Sequence, residues 1–292
     1  LKLYLQKYAD AADPAKIAML ERKIGQAFYN KGHYRDAVDY FDKVLAYWGV
    51  KRPKTKLSTL FYFVVDIMVM IKNLYISSRK TKPAPTERDN DILELTHQKG
   101  AALGSIDAQR MVMESIRLLG TLHKFDLSKV RDGINLYGSS SALFSFSGLS
   151  FPVAGKILDY ARGYLKPGDT EAAAKYDLWE TLYNSLVGNW EKEPAYDGSI
   201  VNRYLQEGDL FSATAYNYFN TIAATGRSDF DKARIFIDKI DEIAEVYEND
   251  YARGIKYLLK SGLLLKSRQL DEAFSETEGG IFFSSRVGRN PG

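Results

Sequence analysis

Ile24-Gly25-Gln26-Ala27-Phe28-Tyr29-Asn30-Lys31-Gly32-His33-Tyr34-Arg35-Asp36-Ala37-Val38-Asp39-Tyr40-Phe41-Asp42-Lys43-Val44-Leu45 is the stretch on which the fold turns. Apolar residues recur at steps of three and four on both sides of Gly32, the signature of two amphipathic helices joined by a glycine turn. Gly25 and Ala37 place a small residue in each segment, so the two backbones can approach closely. One hairpin cannot bury its own apolar face. The pattern therefore predicts stacked neighbours, an all-α chain built as a helical-hairpin solenoid, an alpha-alpha superhelix.

Outward from this hairpin the helical rhythm continues. Asp13-Pro14 reads as an N-cap with proline in the first turn. Ile17, Leu20, Ile24, Ala27 and Phe28 form the stripe of the first helix. Tyr34, Ala37, Val38, Phe41, Val44, Leu45 and Trp48 form that of the second, which ends at Gly49. Further helices are expected near 88–102, 105–123, 127–146, 151–165, 170–187, 191–206, 210–225, 229–248 and 250–266, with a last one starting near 269. The hairpin recurs in degraded form: Phe151-x-x-Ala154, Gly208-x-Leu210-x-x-Ala213, Phe230-x-x-Ala233 and Leu270-x-x-Ala273 repeat the Tyr34-x-x-Ala37 spacing, and Trp190 takes the place of Tyr34 in a further copy. Four segments follow: an N-terminal helix plus a well-formed hairpin over 1–50, an apolar helix and proline-containing linker over 51–87, degenerate hairpins over 88–275, and an irregular tail over 276–292 in which Ile281-Phe282-Phe283 is strand-like.

Leu57 to Ile76 is the second unusual stretch. About 20 apolar residues are needed to cross a bilayer. Here the run from Phe61 to Ile71 is interrupted by Asp66 and followed by Lys72 and Asn73. A carboxylate at the centre of a span costs roughly 2.5–3.5 kcal/mol. Basic residues flank the stretch on both sides, which gives no orientation signal. The expectation is a helix buried between repeats or packed on another domain, and a membrane is not the predicted partner.

The composition narrows the chemistry. A net charge of +3 over 292 residues, without a clustered basic face, does not point to nucleic acid. The absence of cysteine excludes disulfides, thiolate metal sites and cysteine nucleophiles. With no signal-peptide pattern and no glycosylation acceptor, a cytoplasmic location is expected. The start at Leu1 suggests a fragment of a longer chain. His33, His97 and His123 lack a second histidine at helical spacing, so no metal site is expected. Asp238, Asp241, Glu242, Glu245 and Glu248 line one helix beside an apolar stripe and read as its solvated face rather than an acid–base pair. Gly138-Ser139-Ser140-Ser141 lacks the second glycine of a nucleophile elbow, and no phosphate-cradling glycine loop occurs. Neither a catalytic residue nor a cofactor is expected.

The set Ile24, Gly25, Phe28, Gly32, Tyr34, Ala37, Phe41 and Val44 resembles a tetratricopeptide repeat, closely over 17–50 and loosely over about 126–275. Over 20–80, the repeat ending in Tyr47-Trp48-Gly49-Val50-Lys51-Arg52-Pro53, followed by a long apolar helix, resembles the C-terminal repeat region of large bacterial signalling proteins. In those, a serine/threonine kinase or nucleotide cyclase domain precedes an AAA-type ATPase module and the repeats. The resemblance implies a non-catalytic regulatory module that binds a protein or peptide, a domain of its own polypeptide included. It also implies a peptide groove lined by Met19, Arg22, Gln26, Tyr29 and Asn30 of the first helix. Two alternatives remain: an intramolecular scaffold or dimerisation element for an upstream ATPase, cyclase or kinase domain, and a small-ligand-sensing helical domain.

Overall fold

A computed structural model describes residues 13–50, 56–76, 82–192 and 194–287. Among them the chain is all-helical, with no strand. The helices are α1 (Pro14–Asn30), α2 (Tyr34–Tyr47), α3 (Lys56–Tyr75), α4 (Glu87–Ile106), α5 (Ala108–Leu122), α6 (Gly133–Phe146), α7 (Phe151–Arg162), α8 (Thr170–Val187), α9 (Gly198–Gln206), α10 (Leu210–Gly226), α11 (Phe230–Val246), α12 (Asp250–Lys266) and α13 (Leu270–Val287). Short 3₁₀ turns cover Leu127–Lys129 and Trp190–Lys192. The chain divides into two compact units, one of residues 1–25 and 38–179, the other of 26–37 and 180–292. The boundary cuts through both helices of the first hairpin.

In the first unit, consecutive helices from α4 to α7 pack on one another, and α3 lies against α5 and, more lightly, α7. The N-terminal half of α1 meets α2 where Gly25 faces Phe41. A Cβ at Gly25 would lie 2.8 Å from the Phe41 ring, which is why a glycine stands here. Ala37, Phe41 and Val44 are completely buried and Ile24 nearly so, whereas Ala27, expected on the same stripe, is exposed. The serine-rich α6 is a core helix. Ser139, Ser140, Ser145 and Ser147 return their hydroxyls to carbonyls three or four residues back, which satisfies them without leaving the helix. Gly138 admits the Trp179 indole, whose Nε1 donates to Asn135 at 2.8 Å. This segment serves packing, not nucleophilic chemistry.

The second unit is more regular. Residues with left-handed backbone fall at Gly188, Gly208, Ser228, Glu248 and Arg268, twenty apart each time. At each, the amide of the following residue bonds back to the carbonyl five before it, as in Asp209 to Tyr204, Asp229 to Ala224 and Asn249 to Ala244, closing the preceding helix. Asp209, Asp229 and Asn249 then cap the next helix through the amides of Ser212, Lys232 and Ala252. One short turn thus ends one helix and starts another within three positions. α10, α11 and α12 are each 17 residues long. Each of α10 to α13 packs on its neighbour, and α10 also meets α12. Their core joins Ala224, Ala233, Phe236, Ile237 and Leu263. The aromatic-x-x-Ala spacing read from the sequence lands on helix starts: Ala37, Ala154, Ala213, Ala233 and Ala273 are all essentially without exposure.

Several boundaries differ from the sequence reading. Gly104-Ser105 does not break a helix; α4 runs on to Ile106 and Asp107 caps α5 through the Arg110 amide. The expected 127–146 helix is a 3₁₀ turn followed by α6, and the expected 191–206 helix begins only at Gly198. Trp190 does not mimic the buried Tyr34: it opens a 3₁₀ turn and is 41% exposed. The tail is helical to Val287, because Phe283 stacks on Tyr257 of α12 and Ala273 and Val287 are buried, so Ile281-Phe282-Phe283 is no strand. Residues 288–292 lie outside the described residues, as do 51–55 and 77–81 of the expected linker.

Candidate functional site

Four of the five residues expected to line a peptide groove make contacts within the fold. In the first unit, Arg22 lies 3.3 Å from Asp91 of α4, with Glu94 at 3.9 Å, and its guanidinium sits 5.6 Å from the centre of the Trp48 ring. Met19 is exposed. In the second unit, Gln26 donates to Asn30 at 2.9 Å. Tyr29 is buried against Tyr34 and Phe211, and burial, with the Asp209 carboxylate as a lesser cause, pushes its phenol pKa well up. The Asn30 carbonyl accepts from the Asn249 side-chain amide at 2.8 Å. Arg22 is therefore neutralised in place, and Tyr29 is a packing residue rather than a groove donor.

What the Asn30–Tyr34 turn does instead is dock on the turn before α12. The Asp250 amide donates to the Lys31 carbonyl at 3.2 Å, Lys31 Nζ reaches Glu248 at 2.6 Å, and Tyr34 packs on Tyr251. Gly32 is required: a Cβ there would lie 2.6 Å from the Tyr251 backbone nitrogen, and its φ is +76°. Around this junction Lys31, His33, Glu248, Asp250, Arg253 and Arg286 line a cleft of roughly 460 Å³. Asp250 is buried at its base, with His33 Nε2 at 3.3 Å, Arg286 Nε at 3.1 Å and Arg253 Nη1 at 3.4 Å. The hydrogen bond from Lys31 holds the Glu248 carboxyl below its ordinary range. Every charged group in the cleft faces an opposite charge, so it reads as an ion-pair lock that joins residues more than 200 apart in sequence. The sequence alone held no sign of this pairing.

Among the described residues, the densest run of exposed large apolar side chains is on α3. Its Met70 and Leu74 are buried, and Val69 comes within 3.9 Å of where a Cβ on Gly120 of α5 would stand. Phe63, Asp66, Ile67 and Asn73 are half-buried, and the opposite side of the helix faces outward. Eleven large apolar residues between Leu57 and Ile76 are exposed, Leu57 at 78%, Phe61 at 65% and Met68 at 64%; Lys72 is the one exposed charged side chain among the described residues of this stretch. Leu57, Phe61, Val64, Met68, Ile71 and Tyr75 follow alternating steps of four and three along one line. Asp66, which interrupts the apolar run in sequence, sits at the edge of this surface. Its carboxyl pKa is raised by burial, an effect opposed by Arg117 at 3.8 Å. Of the two expectations for this helix, burial between repeats does not hold for its outward face, whereas packing on another domain is compatible with it.

No family model matches this chain, and no curated protein or solved structure matches it.

Other titratable groups are accounted for by packing. His123 is buried, shares a hydrogen bond with the Tyr137 hydroxyl at 2.8 Å, and stands in an aromatic cluster with Tyr160; burial, then the charge of Lys82, brings it down to about 4. Burial likewise brings His97 to about 4. Of the acidic residues on α11, Asp241 pairs with Lys256 at 2.9 Å and Glu245 with Arg253 at 3.2 Å, consistent with a solvated, ion-paired face. Among the described residues no three His, Cys, Asp or Glu side chains converge as a metal site, and no helix is long and apolar enough to cross a membrane.

Proposed function

We propose that this chain is a non-catalytic helical docking module whose contact surface is the outward face of α3. The observation that carries the reading is that face itself. Contiguous exposed apolar patches of this kind mark interaction sites, because leaving such area in water costs about 25 cal/mol per Å². The surrounding helices hold α3 against α5 and α7 and so present it on a packed scaffold. Recurrent helical hairpins with buried alanines support a repeat-protein reading. Two helices and their turns make forty residues in the second unit, against about 34 in a tetratricopeptide repeat, which favours a longer hairpin repeat over a member of that family. A regulatory or scaffolding part within a larger signalling protein fits this role. A photo-crosslinking residue at position 61 or 68, in the source cell, is expected to give discrete protein or lipid adducts, whereas the same residue at Ile235, an exposed apolar position on α11, gives none. Adducts of equal yield from all three positions, or from none, would contradict the docking role.

A further inference from the structure

We infer that the face of α3 docks on an anionic lipid surface, with the helix lying in the plane of the headgroups. This rests on α3 being the docking surface, and two observations select the occupant.

The first is charge. From Lys43 to Thr86 inclusive the sequence holds nine Lys or Arg and a single acidic residue, Asp66, although the whole chain carries a net charge of only +3. Asp66 is offset by Arg117 at 3.8 Å. Lys51, Arg52, Lys54 and Lys56 precede the exposed face in sequence, and Arg79, Lys80 and Lys82 follow it. On its flank, Lys156 of α7 stands 5.9 Å from the ring centre of the exposed Tyr75. An apolar segment flanked in sequence by cations on both sides is complementary to a bilayer interface bearing acidic headgroups. It is not complementary to itself. A second copy of α3, parallel or antiparallel, would bring basic end against basic end.

The second is width. At 100° per residue, the exposed positions from Leu57 to Ile76 sweep about 200° of the helix circumference. One packed helix takes an apolar stripe of roughly 100°, so a single helical partner would leave half of this face wet. A planar interface receives the whole outward half. Lys72, the cation within the arc, has a four-carbon stem that can lie along the apolar surface while its ammonium reaches the headgroups. Spanning is not involved, and the length and the Asp66 interruption that argue against a transmembrane helix do not bear on a helix lying flat.

Co-sedimentation of the full chain with vesicles tests this. Vesicles of phosphatidylcholine with about a third phosphatidylserine are expected to bind it at least about tenfold more strongly than phosphatidylcholine alone, and about 0.5 M salt should remove most of that difference. The double variant Phe61→Glu/Met68→Glu should lose about tenfold in binding, and Ile235→Glu should bind as the wild type does. Both variants change only exposed side chains and should melt like the parent. Equal binding to both vesicle types, or none, overturns the lipid assignment, as does a dimer in light scattering that the double variant dissolves. If positions 61 and 68 crosslink to protein while vesicles go unbound, the lipid assignment falls and the docking reading stands. Vesicle binding that the double variant retains overturns the lipid assignment of α3, and the absence of any adduct at positions 61 and 68 overturns the docking reading with it.

Discussion

Gly32→Ala is expected to destabilise the second unit by about 3–5 kcal/mol. Two terms combine. A residue with a Cβ at φ +76° costs roughly 1–2 kcal/mol in the left-handed region. The added atom would also stand 2.6 Å from the Tyr251 nitrogen and 3.0 Å from its Cβ, neither the free end of a flexible side chain. The turn before α12 must then back away, loosening the Asp250-to-Lys31 backbone bond, the Asn249-to-Asn30 bond and the Tyr34–Tyr251 contact together. Gly208→Ala supplies the comparison, since its φ is +74° but nothing lies within 4 Å of its Cβ position. It should show the conformational term alone, about 1–2 kcal/mol. Urea unfolding of the two variants separates backbone strain from docking, and equal losses would mean that the turn-to-turn contact contributes nothing.

Glu114→Ala is expected to cost about 3 kcal/mol. Lys99 is 1% exposed, with Glu114 at 2.7 Å and Asp42 at 3.7 Å; Asp42 in turn is held by Arg110 at 2.5 Å. Removing one member of a buried pair leaves the other charge in a poorly solvating place, which typically costs about 3–5 kcal/mol; the remaining Asp42 keeps the loss near the lower figure. Lys99→Met should cost less, because the carboxylates it leaves are more exposed than the lysine, at 11% and 17% against 1%, and Arg110 stays with both. In the double variant Lys99→Met/Glu114→Ala, the carboxylate loss should become nearly neutral. If Glu114→Ala costs the same in the Lys99→Met background as in the parent, the two side chains are not coupled.

The parts of this fold that were legible in the sequence are those encoded locally. Helix ends at Gly32, Gly49 and Gly208 carry glycine at left-handed positions, and the alanine three residues after a helix start marks the close approach. The twenty-residue turn spacing was harder to see because three of its five turns use Ser228, Glu248 and Arg268, residues with no preference for positive φ. Helix-ending hydrogen bonds and the N-caps at Asp229 and Asn249 enforce the conformation there instead. The tail escaped notice since its Gly279-Gly280 pair reads as a break. In the fold those glycines make room for the Tyr257 ring, 2.7 Å from where a Cβ on Gly279 would sit. The contacts of the groove candidates were not legible for a different reason: pairing of Arg22 with Asp91, and of the Asn30 carbonyl with Asn249, depends on helices far along the chain that no local pattern announces. The apolar run of α3 was plain in sequence, but which side of it stays uncovered depends on how α5 and α7 pack.

Because the chain has no cysteine, a single introduced thiol reports on one position without interference. Thiol labelling of Met68→Cys compared with Met70→Cys, which is 3% exposed in the parent, tests the docking face directly. The purified chain should label position 68 at least about a hundredfold faster than position 70 under native conditions. Adding an extract of the source cell with its membranes should then slow labelling at 68, leaving 70 unchanged. Equal rates at the two positions, or an outward position that stays fully reactive in the extract, would contradict a docking role for α3.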